Sequence, residues 1–189
     1  MIEEKTPITF HLAELRRRIL FSLTAWLIGS IAAYAHVEDI IAVISAPAGK
    51  LYFLNPAEVF FSYLQIAAVT GLFVTLPIHC YELWRFLRPG LQDKESRAFV
   101  WFMPAALILW YGGAAFSFFV VFPQAVQFFL SFSAVSLQPM FSLAAYLSFF
   151  IAFVLPFAIG FELPLALIIL AHLGLVTGKS LRKKRRVFI

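Results

Sequence analysis

The sequence predicts an all-α integral membrane protein, a polytopic bundle of four transmembrane helices with both termini in the cytosol. Three observations support this prediction: the composition, the length of the charge-free stretches, and the distribution of Lys and Arg along the chain. Hydrophobic residues make up 62% of the 189 residues and charged residues 13%, whereas soluble domains have about 45–50% and 25%. Because a helix that meets lipid can be apolar on every side, most of this chain is expected to lie in hydrocarbon.

A transmembrane helix needs about 20 predominantly apolar residues, and three stretches without Asp, Glu, Lys or Arg are long enough. The last of them, residues 98–161, is too long for one helix and must turn. A cluster of Gln, Ser and Pro between residues 123 and 142 supplies the turn chemistry. The predicted spans are therefore residues 19–37, 59–81, 98–122 and 143–173.

The basic residues set the orientation of these spans. All but one of the 15 Lys and Arg lie before the first span, between the second and third, or after the fourth. Since positively charged short loops stay in the cytosol, both termini and the loop 82–97 are predicted to be cytosolic, and the loops 38–58 and 123–142 external. The cytosolic basic residues are Lys5, Arg16, Arg17, Arg18, Arg85, Arg88, Lys94, Arg97, Lys179, Arg182, Lys183, Lys184, Arg185 and Arg186, and the external one is Lys50.

The first external loop has local structure of its own. Residues 37–45 mix acids with Ile and Val, which is typical of a short amphipathic helix at the membrane interface. Pro47 and then Asn55-Pro56 break the chain. Glu58 follows at the start of the second span, where the helix dipole stabilises a carboxylate. A structural role for Glu58 is therefore favoured over a catalytic one.

The segment before the first span has two different faces. Leu12 and Leu15 share one helical face. Glu14 lies on another face, within ion-pair reach of Arg17 and Arg18. Two interpretations are open for these charges: they only fix the orientation of the span, or they form a recognition site.

The loop predicted between the second and third spans combines anchors, a turn and a carboxylate. Trp84 and Phe86 suit headgroup depth, and Pro89 with the following Gly favours a turn. Glu95 then lies close to Arg97, just before the third span. Taken alone, this pattern is also that of an ordinary polar cytosolic loop.

Glu162 is the most informative single residue, because it lies inside the fourth predicted span. Thirteen residues without formal charge follow it, and as helix they cover about 20 Å. An ionisable group at that depth is by default a functional-site hypothesis. Pro156 and Pro164 predict a break in the helix that turns Glu162 towards a concave, partly wet face. The alternative is a protonated, hydrogen-bonded structural Glu; His172 and Gln65 are weaker intramembrane polar candidates.

Motifs of enzymes and metal sites do not occur in the sequence. It contains no H-E-x-x-H, G-x-S-x-G, P-loop or G-x-G-x-x-G, its four His are scattered, and Cys80 is its single Cys. The interpretation is a protein that is not an enzyme, with no cofactor, no metal and no nucleic-acid partner. A small proton- or cation-coupled transporter using Glu162 is the alternative function, although no internal repeat supports it.

A series of motifs in order along the chain resembles the TatC family, the receptor subunit of the twin-arginine protein translocase. They are HLAELRxR at 11–18, SAP at 45–47, LNPxExFF at 54–61, YxxWxFxxPGLxxxE at 81–95, FxxxVxxP at 116–123, YLSF at 146–149, FExP at 161–164 and LRKKR at 181–185. Each motif alone is weak, but their order and topology are specific. The resemblance covers essentially the whole chain.

This resemblance implies the receptor core of the translocase. It would bind twin-arginine signal peptides of folded cargo for export driven by the proton-motive force across the cell inner (cytoplasmic) membrane. The implied partners are TatA- and TatB-like single-span proteins, membrane lipid, and further copies of the chain in a homo-oligomer. Glu14 and Glu95 would bind the paired arginines from one cytosolic face. The other implied site residues are Phe86, Arg17 and Arg97 beside them, Glu162 in an intramembrane cavity, and Pro47, Glu58 and Pro89 as structural residues.

The sequence departs from the family pattern at several positions. Ala57 and Val59 replace the commoner Thr and Pro, and His79-Cys80 replaces a plain aliphatic pair. Ser96 stands where family members usually have the first of two basic residues after the loop Glu. The family has six spans, whereas this sequence ends at Ile189, where a fifth span would begin. Spans five and six are therefore expected to be absent, as in a fragment, a truncated product or a natural short form.

Overall fold

The computed structural model describes residues 8–90, 93–132 and 140–172, which are almost entirely helical. The prediction of an all-α polytopic membrane protein is confirmed. The elements are α1 (Ile8–Tyr34), α2 (Val37–Ser45), β1 (Leu51–Tyr52), α3 (Pro56–Leu87), a 3₁₀ turn (Arg88–Gly90), α4 (Asp93–Phe116), a π-helical turn (Ser117–Val121), α5 (Phe122–Leu130), β2 (Phe141–Ser142) and α6 (Leu143–His172). The basic tail after residue 172 lies outside the described residues.

Three helical stretches within the described residues are long and apolar enough to cross a membrane: Pro56–Leu87, Val100–Leu130 and Leu143–Ala171. A fourth exists if Leu12–Tyr34 and Val37–Ser45, which meet at an angle of 73°, are counted as one broken span. The first predicted span, residues 19–37, therefore ends at a bend. α1 stops at Tyr34, and α2 starts in a new direction.

The chain divides into two compact units. The first consists of residues 1–91 and 123–152, and the second of residues 92–122 and 153–189. In the first unit α1 packs along α3 through small residues: a Cβ on Gly71 would lie only 2.5 Å from the backbone N of Ser30. Trp26 Nε1 donates to the carbonyl of Ala68 at 2.9 Å across the same contact. Small residues let two helix backbones approach closely, and this approach fixes the register of α1 against α3.

Gly71→Ala should therefore lower the free energy of unfolding by about 1–3 kcal/mol, since overpacking a close contact has that cost. Gly112→Ala is the matched control, because a Cβ at Gly112 meets no atom within 4 Å. The control should be neutral or slightly stabilising, since Ala is the better helix former. Thermal unfolding of both variants in one detergent checks this. Equal midpoints would mean that α1 and α3 do not need a glycine where they meet.

One end of the first unit holds α2 and a short strand pair. α2 covers the helix predicted for residues 37–45, and Val37, Ile41 and Ile44 bury one of its faces. The Tyr146 hydroxyl donates to the carbonyl of Ile44 at 2.9 Å. β1 pairs in parallel with β2, with Leu51 opposite Phe141.

The second unit contains α4 and the larger part of α6. A Cβ on Gly113 would lie 2.7 Å from the carbonyl oxygen of Phe157, so these two helices also pack closely. The Phe116 ring lies 5.8 Å from the ring of Phe161, centroid to centroid. These contacts place the middle of α4 beside the segment of α6 that carries Glu162.

Two expectations about helix breaks are corrected. The turn expected over residues 123–142 does not begin at Pro123, because Phe122–Leu130 is helical and turn structure starts at Ser131. A π-helical turn precedes Pro123, with the Phe122 N–H bonded to the Ser117 carbonyl. The wider turn relaxes the backbone just before a residue that lacks an N–H.

The break expected near Pro156 and Pro164 is not found either, since α6 is a single helix from Leu143 to His172. Prolines are tolerated within membrane helices because neighbouring groups and local adjustments satisfy the freed backbone carbonyls. Glu162 is therefore placed by a continuous helix.

Candidate functional site

An arginine held between two carboxylates lies at the end of α1. Arg18 Nη2 donates to Glu14 Oε1 at 2.5 Å, and Arg18 Nη1 donates to Glu82 Oε2 at 3.0 Å. Glu14 and Arg18 are one helical turn apart and therefore share a face of α1. Glu82 reaches them from α3 and is buried, with 8% of its surface exposed. The close packing of the two helices brings these three charges together.

A cavity of about 460 Å³ opens beside this cluster. Its wall combines the three charged residues of the cluster with two further arginines and a few apolar side chains. The lining residues are Glu14, Arg17, Arg18, Leu20, Phe21, Thr24, Glu82 and Arg85. The arrangement suits a charged ligand group that has an apolar neighbour.

A second cavity, of about 440 Å³, lies along the same two helices and is mainly apolar. Arg18 and Glu82 line both cavities, and Phe86 joins them in the second together with Ile19 and Trp26. The charged cluster therefore lies where a polar cavity meets an apolar groove. Of the predicted site residues, Glu14, Arg17 and Phe86 are brought to this place.

Sequence analysis missed Glu82, because it ended the second span at residue 81 and began the cytosolic loop at residue 82. In the structure α3 continues to Leu87, and residues 93–97 already belong to α4, so most of the segment predicted as a loop is helical. The helix continues because apolar residues recur through Leu83 and Phe86 at helical spacing. The sequence did contain one signal for Glu82: it is a carboxylate near the end of a long apolar helix.

The turn after α3 contains the predicted Pro89. Pro89 lies within the 3₁₀ turn Arg88–Gly90. The Arg88 guanidinium lies 5.4 Å from the centroid of the Trp84 ring, a cation–π contact that holds this end of α3.

Glu95 and Arg97 lie in the first turns of α4. Their side chains are outside the described part of the structure, and their helix belongs to the second unit, whereas Glu14 belongs to the first. The expected closeness of Glu14 and Glu95 stays a prediction.

Glu162 lies in α6, in the second unit. Its residue is half-buried, and its Oε1 is buried with no hydrogen-bond partner in the part of the chain that the structure describes. An unsatisfied buried acceptor is costly. The carboxylate also accepts a backbone hydrogen bond from Trp110, so the functional interpretation and the hydrogen-bonded structural Glu both stay open.

Glu58 joins the N-terminal ends of two helices, α3 and α6. Its Oε2 accepts from the Leu54 N–H at 2.8 Å, and its Oε1 accepts from the Ala144 N–H at 3.0 Å and from the Ser142 hydroxyl. The Asn55 side chain caps α3 by accepting from the Glu58 N–H at 2.9 Å. Glu58 thus ties the start of α3 to the start of α6, and Pro47 lies in the turn that follows α2.

Glu58→Gln should lower the free energy of unfolding by about 1–3 kcal/mol, because an amide nitrogen replaces one acceptor oxygen and leaves a donor unpaired. Glu38→Gln is the matched control, since Glu38 is exposed in the first turn of α2. Thermal unfolding of both variants measures the difference. A loss of the same size in the control would show that the effect comes from general charge rather than from this network.

No group of three or more His, Cys, Asp or Glu that could hold a metal ion occurs among the described residues. The contacts that the charged cluster makes are ion pairs and hydrogen bonds. A guanidinium is the group that it demonstrably holds.

Long apolar helices define a multi-pass membrane protein, and an arginine–carboxylate cluster lies near the ends of two of them. A family model described as Sec-independent protein translocase protein (TatC) matches residues 10–189. The chain belongs to the TatC family.

Relatives in several bacteria carry the same family name. The TatC protein of Desulforapulum autotrophicum is 38% identical over 99% of this chain and 72% of its own length. That of Aquifex aeolicus is 34% identical over 97% of this chain and 80% of its own, and that of Escherichia coli K12 is 31% identical over 97% and 74%. A crystal structure of the twin arginine translocase receptor TatC superposes with a TM-score of 0.83 at 32% identity, covering 94% of this chain and 83% of that one.

Proposed function

We propose that this chain is the receptor core of a Sec-independent, twin-arginine protein translocase and binds the twin-arginine signal peptides of folded cargo. The family match and the similarity to a twin arginine translocase receptor support this function. The observation that carries it in this molecule is the cluster of Glu14, Arg18 and Glu82, where two carboxylates already hold one guanidinium. A transporter based on Glu162 has no comparable support.

The chemistry of the cluster suits arginine better than lysine. A guanidinium offers several N–H donors in a rigid, planar fork, whereas an ammonium is a compact point charge. Hydrogen bonds between a guanidinium and a carboxylate are about twice as strong as neutral ones. Glu14 and Glu95 are the two carboxylates that we assign to the paired arginines of the peptide, with Phe86, Arg17 and Arg97 around them.

The apolar groove accounts for the rest of a signal peptide. Exposed ion pairs contribute only about 0–1 kcal/mol each, so two of them cannot hold a peptide firmly. A twin-arginine signal has an apolar segment after its basic pair, and the groove along Ile19 and Trp26 begins at the charged cluster. Binding of the apolar segment there would supply affinity, and the carboxylates would supply selectivity.

The wider assembly is also part of this proposal. The chain works in the cytoplasmic membrane with TatA- and TatB-like single-span proteins, in a complex with more than one copy of itself, and export draws on the proton-motive force. Its basic cytosolic segments contact anionic lipid. We assign Glu162, which lies within α6, to the intramembrane cavity of the receptor.

Binding of labelled signal peptides to the protein in nanodiscs tests the function directly. An Arg-Arg peptide should bind more tightly than the same peptide with Lys-Lys, and an unrelated apolar peptide of equal length should bind weakly. Equal affinities for Arg-Arg and Lys-Lys would show that the chain does not read twin arginines.

The topology prediction has its own test, in a Cys80→Ser background. A membrane-impermeant thiol reagent applied to intact cells should label Lys50→Cys, because the first loop is external. It should not label Ser96→Cys, because α4 begins on the cytosolic side. Labelling Ser96→Cys after the cells are lysed is the control for reactivity. Efficient labelling of Ser96→Cys from outside would reverse the orientation.

A further inference from the structure

Arg18 occupies both described carboxylates of the cluster at once. Its guanidinium uses one nitrogen for Glu14 and the other for Glu82, at 2.5 and 3.0 Å. The exposed fractions of the Arg18, Glu14 and Glu82 side chains are 13%, 24% and 11%. The position that would hold a ligand guanidinium is therefore already filled by a residue of the chain itself.

The pairing is geometrically incomplete. Arg binds a carboxylate best through two parallel hydrogen bonds to the same group, whereas Arg18 gives each acid a single one. Its Nε is buried and has no hydrogen-bond partner within the described residues. A buried donor without an acceptor is costly, so Arg18 is held less firmly than a fully paired guanidinium would be.

The charge of the cavity wall also bears on what can bind. Arg17, Arg18 and Arg85 face it together with Glu14 and Glu82, so cations outnumber anions. With Arg18 turned away the two signs would balance, and the Glu82 carboxylate would lose the partner that now occupies it. A cavity of about 460 Å³ leaves room for a side chain to enter while Arg18 moves.

We propose that Glu82 is a further carboxylate of the arginine-reading site, and that Arg18 is its internal occupant until a peptide guanidinium replaces it. This inference rests on the proposed function, and it adds a residue and a means of selectivity. A peptide binds only if its guanidinium competes successfully with that of Arg18. A lysine ammonium lacks the fork geometry needed to do so, which sharpens the preference for arginine.

A purely structural role of Arg18 predicts the opposite effect of its removal on peptide binding. If Arg18 only supports the fold of the site, removing it disorders Glu14 and Glu82 and weakens peptide binding. If Arg18 competes with the peptide, removing it strengthens binding. The sign of the effect therefore separates the two roles.

The experiment measures the affinity of Arg-Arg and Lys-Lys signal peptides for the protein in nanodiscs. Arg18→Gln should bind the Arg-Arg peptide about three- to tenfold more tightly than Arg85→Gln does, as expected for the release of one charge-assisted contact. Arg85→Gln is the matched reference, because it removes the same charge from the same cavity wall. Arg18→Lys should also bind more tightly than the unmodified chain.

Glu82→Gln completes the test. It should weaken Arg-Arg binding about threefold in the unmodified chain and more strongly in the Arg18→Gln background, where Glu82 is no longer occupied. Thermal unfolding of every variant checks the fold, and Arg18→Lys decides the question if Arg18→Gln does not fold.

Two failures are distinguishable. If the unmodified chain prefers Arg-Arg but Arg18→Gln and Arg18→Lys bind no more tightly than Arg85→Gln, the internal occupant is disproved while the proposed function stands. The same holds if Glu82→Gln changes affinity equally in both backgrounds. If the unmodified chain shows no preference for Arg-Arg, both proposals fail.

Discussion

Replacing Glu14 or Glu95 with Ala should remove most of the preference for Arg-Arg over Lys-Lys signal peptides, while leaving most of the membrane association of the peptide. The reason is the division of labour between charge and apolar contact. Each carboxylate contributes selectivity through guanidinium geometry, whereas the apolar segment contributes affinity through burial. We expect the ratio of the two affinities to fall by about tenfold in each variant, which corresponds to about 1.4 kcal/mol.

The measurement is binding of both peptides to each variant in nanodiscs. Glu38→Ala is the matched control, because it removes one exposed carboxylate from the first turn of α2, which follows the far end of α1 from Glu14. Its ratio of affinities should equal that of the unmodified chain. If the Glu14 and Glu95 variants both prefer Arg-Arg as strongly as the unmodified chain does, these glutamates are not the readers and the site assignment is wrong.

The fold class was predictable because it rests on composition and on run length. Hydrocarbon accepts only helices or closed barrels, and charge-free stretches of sufficient length therefore specify helices wherever they occur. The helix at Val37–Ser45 was predictable for a related reason, since its apolar residues recur at helical spacing. These are local properties, and local sequence determines them.

The prolines show where local reasoning fails. Pro123, Pro156 and Pro164 each indicated a turn or a break, yet the first lies in α5 and the other two lie within α6. The low preference of proline for helices is known largely from peptides and proteins in water. In a membrane helix the alternative to continuing is an exposed backbone in lipid, which costs more than one lost hydrogen bond.

Glu82 shows the limit for the site. The sequence places it 64 residues from Arg18, and nothing local links the two. Their contact depends on the register of α1 against α3, which the close approach of Ser30 and Gly71 helps to fix. Glu14 could be identified from its sequence motif, whereas Glu82, which binds the same arginine, could be identified only from the packing of the two helices.

Glu162→Leu should raise the free energy of unfolding by about 1–3 kcal/mol, because it removes a buried Oε1 that has no hydrogen-bond partner within the described residues. This gain should exceed the loss of the carboxylate's backbone hydrogen bond from Trp110. It should also reduce the function of the protein. Most substitutions at well-packed positions lower the stability of a protein. A gain in stability on replacing Glu162 would therefore indicate that this residue serves function rather than folding. Functional sites commonly carry such a cost in stability.

The test combines two readouts on the same preparations of Glu162→Leu and Glu162→Gln. Thermal unfolding should show that Glu162→Leu is more stable than the unmodified chain. The stability of Glu162→Gln should be close to that of the unmodified chain, since the amide keeps a polar group. The Arg-Arg peptide should bind more weakly to Glu162→Leu than to Glu162→Gln, because only the Gln side chain can still form hydrogen bonds with a polar partner. Ile159→Leu is the control: Ile159 is an exposed residue on the same helix, and it should change neither readout. If Glu162→Leu is less stable than the unmodified chain and binds peptide normally, Glu162 is a structural residue, and its hydrogen bond with the Trp110 backbone contributes to the fold.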